Sequence, residues 1–151
     1  MKLLYDASAI LNIIRSLGED AIKYIKGNFI LSLTPYEIGN ALWKEASLLR
    51  TISVDDALSL LKDIRKIYDL LETTMPKNQF VTLKIALLMK ITYYDSAYII
   101  AAAENNLALV TDDKKLINKI KSNEDELYRL LQRKIEILTT DDLMKKDLEK
   151  K

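Results

Sequence analysis

The chain has 151 residues, enough for one domain that buries its apolar surface without staples. At 49% hydrophobic and 30% charged residues it has the profile of a soluble globular protein, and a net charge of +1 gives no global field of the kind that announces a nucleic-acid binder. Cysteine and histidine are both absent, which excludes disulfides, thiolate nucleophiles, Cys-ligated zinc, paired-histidine ribonuclease chemistry and a Ser-His-Asp triad.

With three glycines and two prolines, punctuation is sparse and helices are expected to dominate. The pattern predicts a strand at Lys2–Tyr5, a helix at Ser8–Ser16, a short helix near Glu19–Ile25 and a second strand at Phe29–Leu33. A helix opens at Thr34-Pro35-Tyr36-Glu37 and runs to about Arg50, with Thr34 as N-cap, Pro35 at the first helical position and Glu37 closing a capping box. Ser53 caps the next helix, whose Ala57, Leu58, Leu61, Ile64, Tyr68 and Leu71 recur at helical spacing. Another helix is expected from about Lys77 to Lys90, with Phe80, Leu83, Leu87 and Leu88 turned inward, and then Asp95–Glu104, rich in alanine. A strand at Leu107–Val110, helices at Lys114–Ile120 and Glu124–Gln132, a strand at Lys134–Leu138 and a charged tail complete the chain. Alternating strands and helices imply parallel pairing in a single doubly wound domain over residues 1–151, with a helical arm between the second and third predicted strands. Lys90 and Asp95 interrupt the longest apolar region and Asp6 the N-terminal one, so neither a membrane span nor a secretory signal is expected, and a cytoplasmic location is.

Four acids are read as standing where a strand hands over to a helix: Asp6, Glu37, Asp95 and Asp113. Each taken singly has a structural account, as an N-cap or capping-box partner. Taken together they point to the C-terminal edge of a parallel sheet, where carboxylates crowded side by side call for a hard cation, Mg²⁺ or Mn²⁺. Without histidine, carboxylates with such a cation are the reactive groups that best suit this composition.

The segments Tyr5-Asp6-Ala7-Ser8-Ala9-Ile10, Tyr94-Asp95-Ser96-Ala97-Tyr98 and Leu109-Val110-Thr111-Asp112-Asp113-Lys114-Lys115-Leu116 resemble the three signature segments of PIN-domain nucleases. Within them the chain is most similar to the VapC toxins of toxin–antitoxin pairs, and Glu37 after Thr34-Pro35-Tyr36 matches the family's acid at the head of its third helix. The resemblance spans about Leu3 to Leu138. It implies a PIN-like three-layer α/β sandwich, a small parallel sheet flanked by helices with a helical arm. It further implies a metal-dependent endoribonuclease leaving a 5′-phosphate and a 3′-hydroxyl, an RNA substrate, a cognate antitoxin and a homodimer.

On this resemblance Asp6, Glu37, Asp95 and Asp113 are the metal-binding, catalytic acids. Thr111 and Leu116 place Asp113 rather than Asp112 in the family frame Thr-x-Asp-x-x-Leu, and Asp112 reads as an outer partner or, slightly favoured, a solvated residue. Ser8 and Thr111 suit hydroxyls that orient carboxylates, and local capping explains them as well. Lys114 and Lys115 are candidates for RNA phosphates, as they are for a solvated helix face; Lys44 and Arg50 read as surface charges. Tyr36, Tyr93, Tyr94 and Tyr98 are able to stack on bases, but the commoner role is a core ring with its hydroxyl reaching water. The rival functions are a non-catalytic PIN-like module that binds RNA or protein, and a haloacid-dehalogenase-type phosphatase. The latter wants Asp-x-Asp in the first strand where this chain has Asp6-Ala7-Ser8.

Overall fold

In a computed structural model, which describes residues 1–148, five short strands form one parallel sheet. They are β1 (Leu3–Tyr5), β2 (Phe29–Leu31), β3 (Glu72–Thr74), β4 (Ala108–Val110) and β5 (Ile137–Leu138), in the spatial order β3-β2-β1-β4-β5. The register sets Tyr5 opposite Ile30 on one side and Val110 on the other. Alternate strand residues enter opposite cores, because side chains on a strand point to the two faces in turn. Tyr5, Ile30 and Val110 pack into one cluster and Leu4, Leu31 and Leu109 into the other.

The first face carries α1 (Ala7–Leu17), α2 (Ile22–Ile25), α3 (Thr34–Trp43), α4 (Val54–Tyr68) and α9 (Thr140–Leu148). Gly18, at φ +53°, stops α1 in a conformation an L side chain rarely adopts, and a 3-10 turn at Gly18–Ala21 follows. The second face carries α5 (Gln79–Met89), α6 (Tyr93–Asn105), α7 (Lys114–Ser122) and α8 (Glu124–Leu131). The result is the expected three-layer α/β/α arrangement, with α3, a π-helical turn at Lys44–Leu49 and α4 forming the arm. Among the described residues no helix is long and apolar enough to cross a membrane.

Several expectations are corrected. The edge strand β3 was not foreseen, because Glu72-Thr73-Thr74 is polar and largely exposed and shows no apolar alternation; its pairing with Phe29–Leu31 defines it. β2 ends at Leu31 rather than Leu33, and β5 begins at Ile137 rather than Lys134. The tail is helical, opened by a reciprocal pair in which Asp142 N donates to Thr139 Oγ1 and Thr139 N to Asp142 Oδ2. The capping box expected at Thr34 does not form: Leu33 is the N-cap, Thr34 is buried inside the first turn and Glu37 faces elsewhere.

The inward face of α5 is the reverse of the one expected. Thr82, Ile85, Ala86 and Met89 are buried, while Phe80 is 90% and Leu87 71% exposed. A helix apolar on every side has no stripe to choose between, so its partner decides. The small residues of α6 accept the narrow side, where Ser96 Oγ donates to the Thr82 carbonyl at 2.6 Å.

Candidate active site

The strands β1 and β4 are paired neighbours, yet the chain leaves them for opposite faces, β1 into α1 and β4 into α7. The crevice that opens where strand order reverses is the usual site position in a parallel sheet. Asp6 sits in it, its N–H donating to the Val110 carbonyl at 3.1 Å. Its side chain caps α1: Oδ1 accepts from Ala9 N at 2.8 Å and from Ser8 Oγ at 2.7 Å, and the nearby Thr111 side chain favours the ionised carboxylate. Asp6 is only 7% exposed. Burial, helped by the charge of Asp112, pushes its carboxyl up to about 6 against the opposing hydrogen bonds of Thr111, Ser8 and Ala9.

Asp113 caps α7 and is exposed, with Oδ1 accepting from Lys115 N at 2.8 Å and Leu116 N at 3.1 Å. Its own N–H donates to Thr111 Oγ1 at 3.1 Å. Thr111, fully buried, accepts from Asp113 N and lies near enough to Asp6 to favour its ionised form. Ser8 has a matching double role, donating to Asp6 and accepting from Asp112 N at 3.1 Å. The Ser8 hydroxyl thus holds the Asp6 carboxylate, while that of Thr111 takes the Asp113 N–H, a local capping contact.

Glu37 lies in the first turn of α3, half-buried, and Oε1 accepts from the Tyr98 hydroxyl at 2.7 Å. Burial raises its carboxyl pKa, Tyr98 opposes that, and repulsion from Asp6 and Asp95 adds to it. Asp95 is raised by burial first, then by Asp113, against hydrogen bonds from Thr92. It stands at the α5–α6 junction in the first turn of a helix capped by Thr92, not at a strand-to-helix junction. Glu37 thus feels the charges of Asp6 and Asp95, and Asp95 feels that of Asp113.

Among the described residues none of the four is in a salt bridge, and no three acidic side chains close on one point as a finished cation cage. The donor set suits a hard cation chemically, being all oxygen, with lone pairs left over and a shared repulsion that a cation would relieve.

Asp112 is not the solvated residue favoured from sequence. Its carboxylate accepts from Asn12 Nδ2 at 2.7 Å and from Thr140 twice, N at 2.9 Å and Oγ1 at 2.7 Å. Lys114 and Lys115 are exposed in the first turn of α7 beside Asp113. Cations at a helix N-terminus oppose its dipole, so helix stability does not account for them. Lys44 and Arg50 are exposed on the arm. Tyr36, Tyr93 and Tyr94 are exposed rather than core, and only Tyr98 is buried, at 1%. The pairing of Tyr98 with Glu37 was missed; its faint signal is the spacing Asp95-x-x-Tyr98, which puts both on one face of α6.

No family model matches the chain. It is 38% identical over 122 residues to exonuclease VapC9 of Pyrobaculum aerophilum, covering 81% of this chain and 88% of that protein. It is 32% identical over 130 residues to ribonuclease VapC3 of the same organism, covering 79% of this chain and 95% of that protein. The crystal structure of PAE2754 from Pyrobaculum aerophilum superposes with a TM-score of 0.66 at 33% identity, covering 88% of this chain and 98% of that one.

Proposed function

Since the chain belongs to the VapC family of PIN-domain nuclease toxins, we propose that it is a divalent-metal-dependent endoribonuclease acting at Asp6, Glu37, Asp95 and Asp113. The observation that carries this reading is Asp6 buried at the crevice between β1 and β4, with the carboxyls of Glu37 and Asp95 held up by burial and neighbouring acids and no cationic side chain paired to any of the four among the described residues. A bound Mg²⁺ or Mn²⁺ would supply charge relief, polarisation of a phosphate oxygen and an acidified water for in-line attack. The chain's own part is positional. Ser8 holds Asp6, Thr111 takes the Asp113 N–H, and Tyr98 holds Glu37. Lys114 and Lys115, exposed in the first turn of α7 beside Asp113, would meet RNA phosphates on this reading. The oxygen of water joins phosphorus as the bond to the 3′-oxygen breaks, leaving a 5′-phosphate and a 3′-hydroxyl.

A toxin of this family has an antitoxin partner, and two apolar surfaces are available for protein contacts. One is a groove of about 370 Å³ on the arm, lined by Trp43, Val54, Leu58 and Leu61, which suits an amphipathic antitoxin segment. On the arm Leu42 and Ile64 pack inside and Tyr68 is half-buried, while Trp43, Leu58 and Leu61 remain exposed. The other is the outer ridge of α5, Phe80, Leu83 and Leu87, which suits a symmetric contact between two copies.

The deciding experiment is cleavage of linear and circular RNAs, with Mn²⁺ or with EDTA, beside Asp6→Asn. Endonuclease action cuts the circle in a Mn²⁺-dependent way that Asp6→Asn abolishes. Cleavage of linear RNA alone would favour the exonuclease reading that the name of VapC9 offers. Binding without cleavage would leave the non-catalytic module.

A further inference from the structure

We infer that Tyr98, backed by Thr34, is the positioning residue that aims Glu37 into the acidic crevice; this rests on the metal-dependent nuclease reading for its consequence, though not for its geometry.

Three hydrogen bonds join end to end: Leu31 N to Thr34 Oγ1 at 3.0 Å, Thr34 Oγ1 to Tyr98 Oη at 2.7 Å, and Tyr98 Oη to Glu37 Oε1 at 2.7 Å. Their direction follows from counting protons. A backbone N–H only donates, so Thr34 accepts from Leu31. An ionised carboxylate only accepts, so the single Tyr98 proton goes to Glu37. Thr34 must therefore donate to Tyr98. The chain has one polarity, from the last residue of β2 through two buried hydroxyls to the carboxylate, and such aligned bonds polarise one another.

A satisfied core tyrosine alone does not account for this arrangement. Thr34 by itself would partner a buried phenol, and half-buried Glu37 is free to turn to water. Instead the bond holds Glu37 Oε1 on Tyr98, within reach of the charges of Asp6 and Asp95, which repel it. Asp95 and Tyr98 lie three residues apart on α6, so the helix that presents one acid also grips the other. Thr34 and Glu37 share a turn of α3, on the opposite face of the sheet. The relay thus fixes the spacing of two site acids across two layers.

The test compares wild type, Tyr98→Phe, Thr34→Val and Thr34→Ser by Mn²⁺ affinity from electron paramagnetic resonance, by kinetics on RNA and by crystal structure without metal. Removing an outer partner of a metal ligand costs about 10–100-fold in metal affinity or activity. Tyr98→Phe is expected to weaken Mn²⁺ by at least about tenfold and to lower kcat with KM for RNA little changed. In its crystal structure Glu37 turns away from the crevice. Thr34→Val acts in the same direction more weakly and serves if Tyr98→Phe does not fold, while Thr34→Ser keeps wild-type Mn²⁺ affinity because the hydroxyl remains. Unchanged Mn²⁺ affinity together with an unchanged Glu37 rotamer in Tyr98→Phe, or in Thr34→Val where Tyr98→Phe does not fold, overturns the inference. If wild type neither binds Mn²⁺ nor cleaves RNA, the nuclease reading fails instead, and the Glu37 rotamer still decides the role of Tyr98.

Discussion

Asp112 accepts from Thr140 at both carboxylate oxygens, from N at 2.9 Å and from Oγ1 at 2.7 Å, and so pins the start of α9 to the loop that carries Asp113. Neighbouring acids in the chain have thereby taken different work. Asp112→Ala strands the Asn12 and Thr140 donors and is expected to cost about 2 kcal/mol, offset slightly by relief of its repulsion with Asp6. RNA cleavage should survive in part. Asp113→Ala should do the reverse, costing about 1 kcal/mol for a lost cap while abolishing cleavage. Urea melts beside an RNA assay check the pair, and identical loss of activity in both variants would contradict the division.

The raised carboxyl of Asp6 sets a pH dependence with a definite sign. Its folded pKa of about 6 exceeds the ordinary value of 3.8, so the folded protein binds the proton more tightly than the unfolded chain. Stability from this group is present below about pH 4 and is lost as pH rises through about 6, a change on the order of 3 kcal/mol. Glu37 and Asp95 are shifted in the same direction. Asp6→Asn, which keeps a good N-cap, should therefore melt above wild type at pH 7.5 in EDTA, with the gap closing near pH 4. A gap that fails to appear at pH 7.5 would show that Asp6 is not strained when ionised.

Mass action predicts the counterpart with metal. A cation bound only by the folded protein raises the melting temperature, so millimolar Mn²⁺ should stabilise wild type. Asp95→Asn should lose much of that rise. Calorimetric scans with and without Mn²⁺ measure it, and equal shifts in the two proteins would remove Asp95 from the ligand set.

The outer face of α5 should govern assembly. Phe80 is 90% exposed, so Phe80→Glu removes little intramolecular packing and should leave the melting temperature near wild type. Sedimentation velocity at micromolar concentration should show a dimer for wild type and a monomer for this variant. A monomeric wild type would end the dimer proposal and leave the nuclease reading intact.

Phosphate contacts by Lys115 carry a salt signature. In an Asp6→Asn background, Lys115→Ala should weaken RNA binding and reduce the slope of log K against log salt by about one. An unchanged slope would return Lys115 to the solvated surface.

Local rules made much of this molecule readable from its sequence. The α/β alternation, the apolar runs of β1, β2 and β4, and the caps at Asp6, Ser53 and Asp113 depend on residues within a few positions of each other. The capping acids were visible for that reason, together with the hydroxyls of Ser8 and Thr111 beside them. Other features were decided only by tertiary contact. β3 exists because Glu72–Thr74 finds the edge of β2, and the buried side of α5 was chosen by the small residues of α6. Asp112 meets Thr140 across 28 positions and Glu37 meets Tyr98 across 61. A helix start declares a carboxylate's backbone role within one turn, but the groups that desolvate it, repel it and aim it arrive from other elements, and only packing brings them within hydrogen-bond distance.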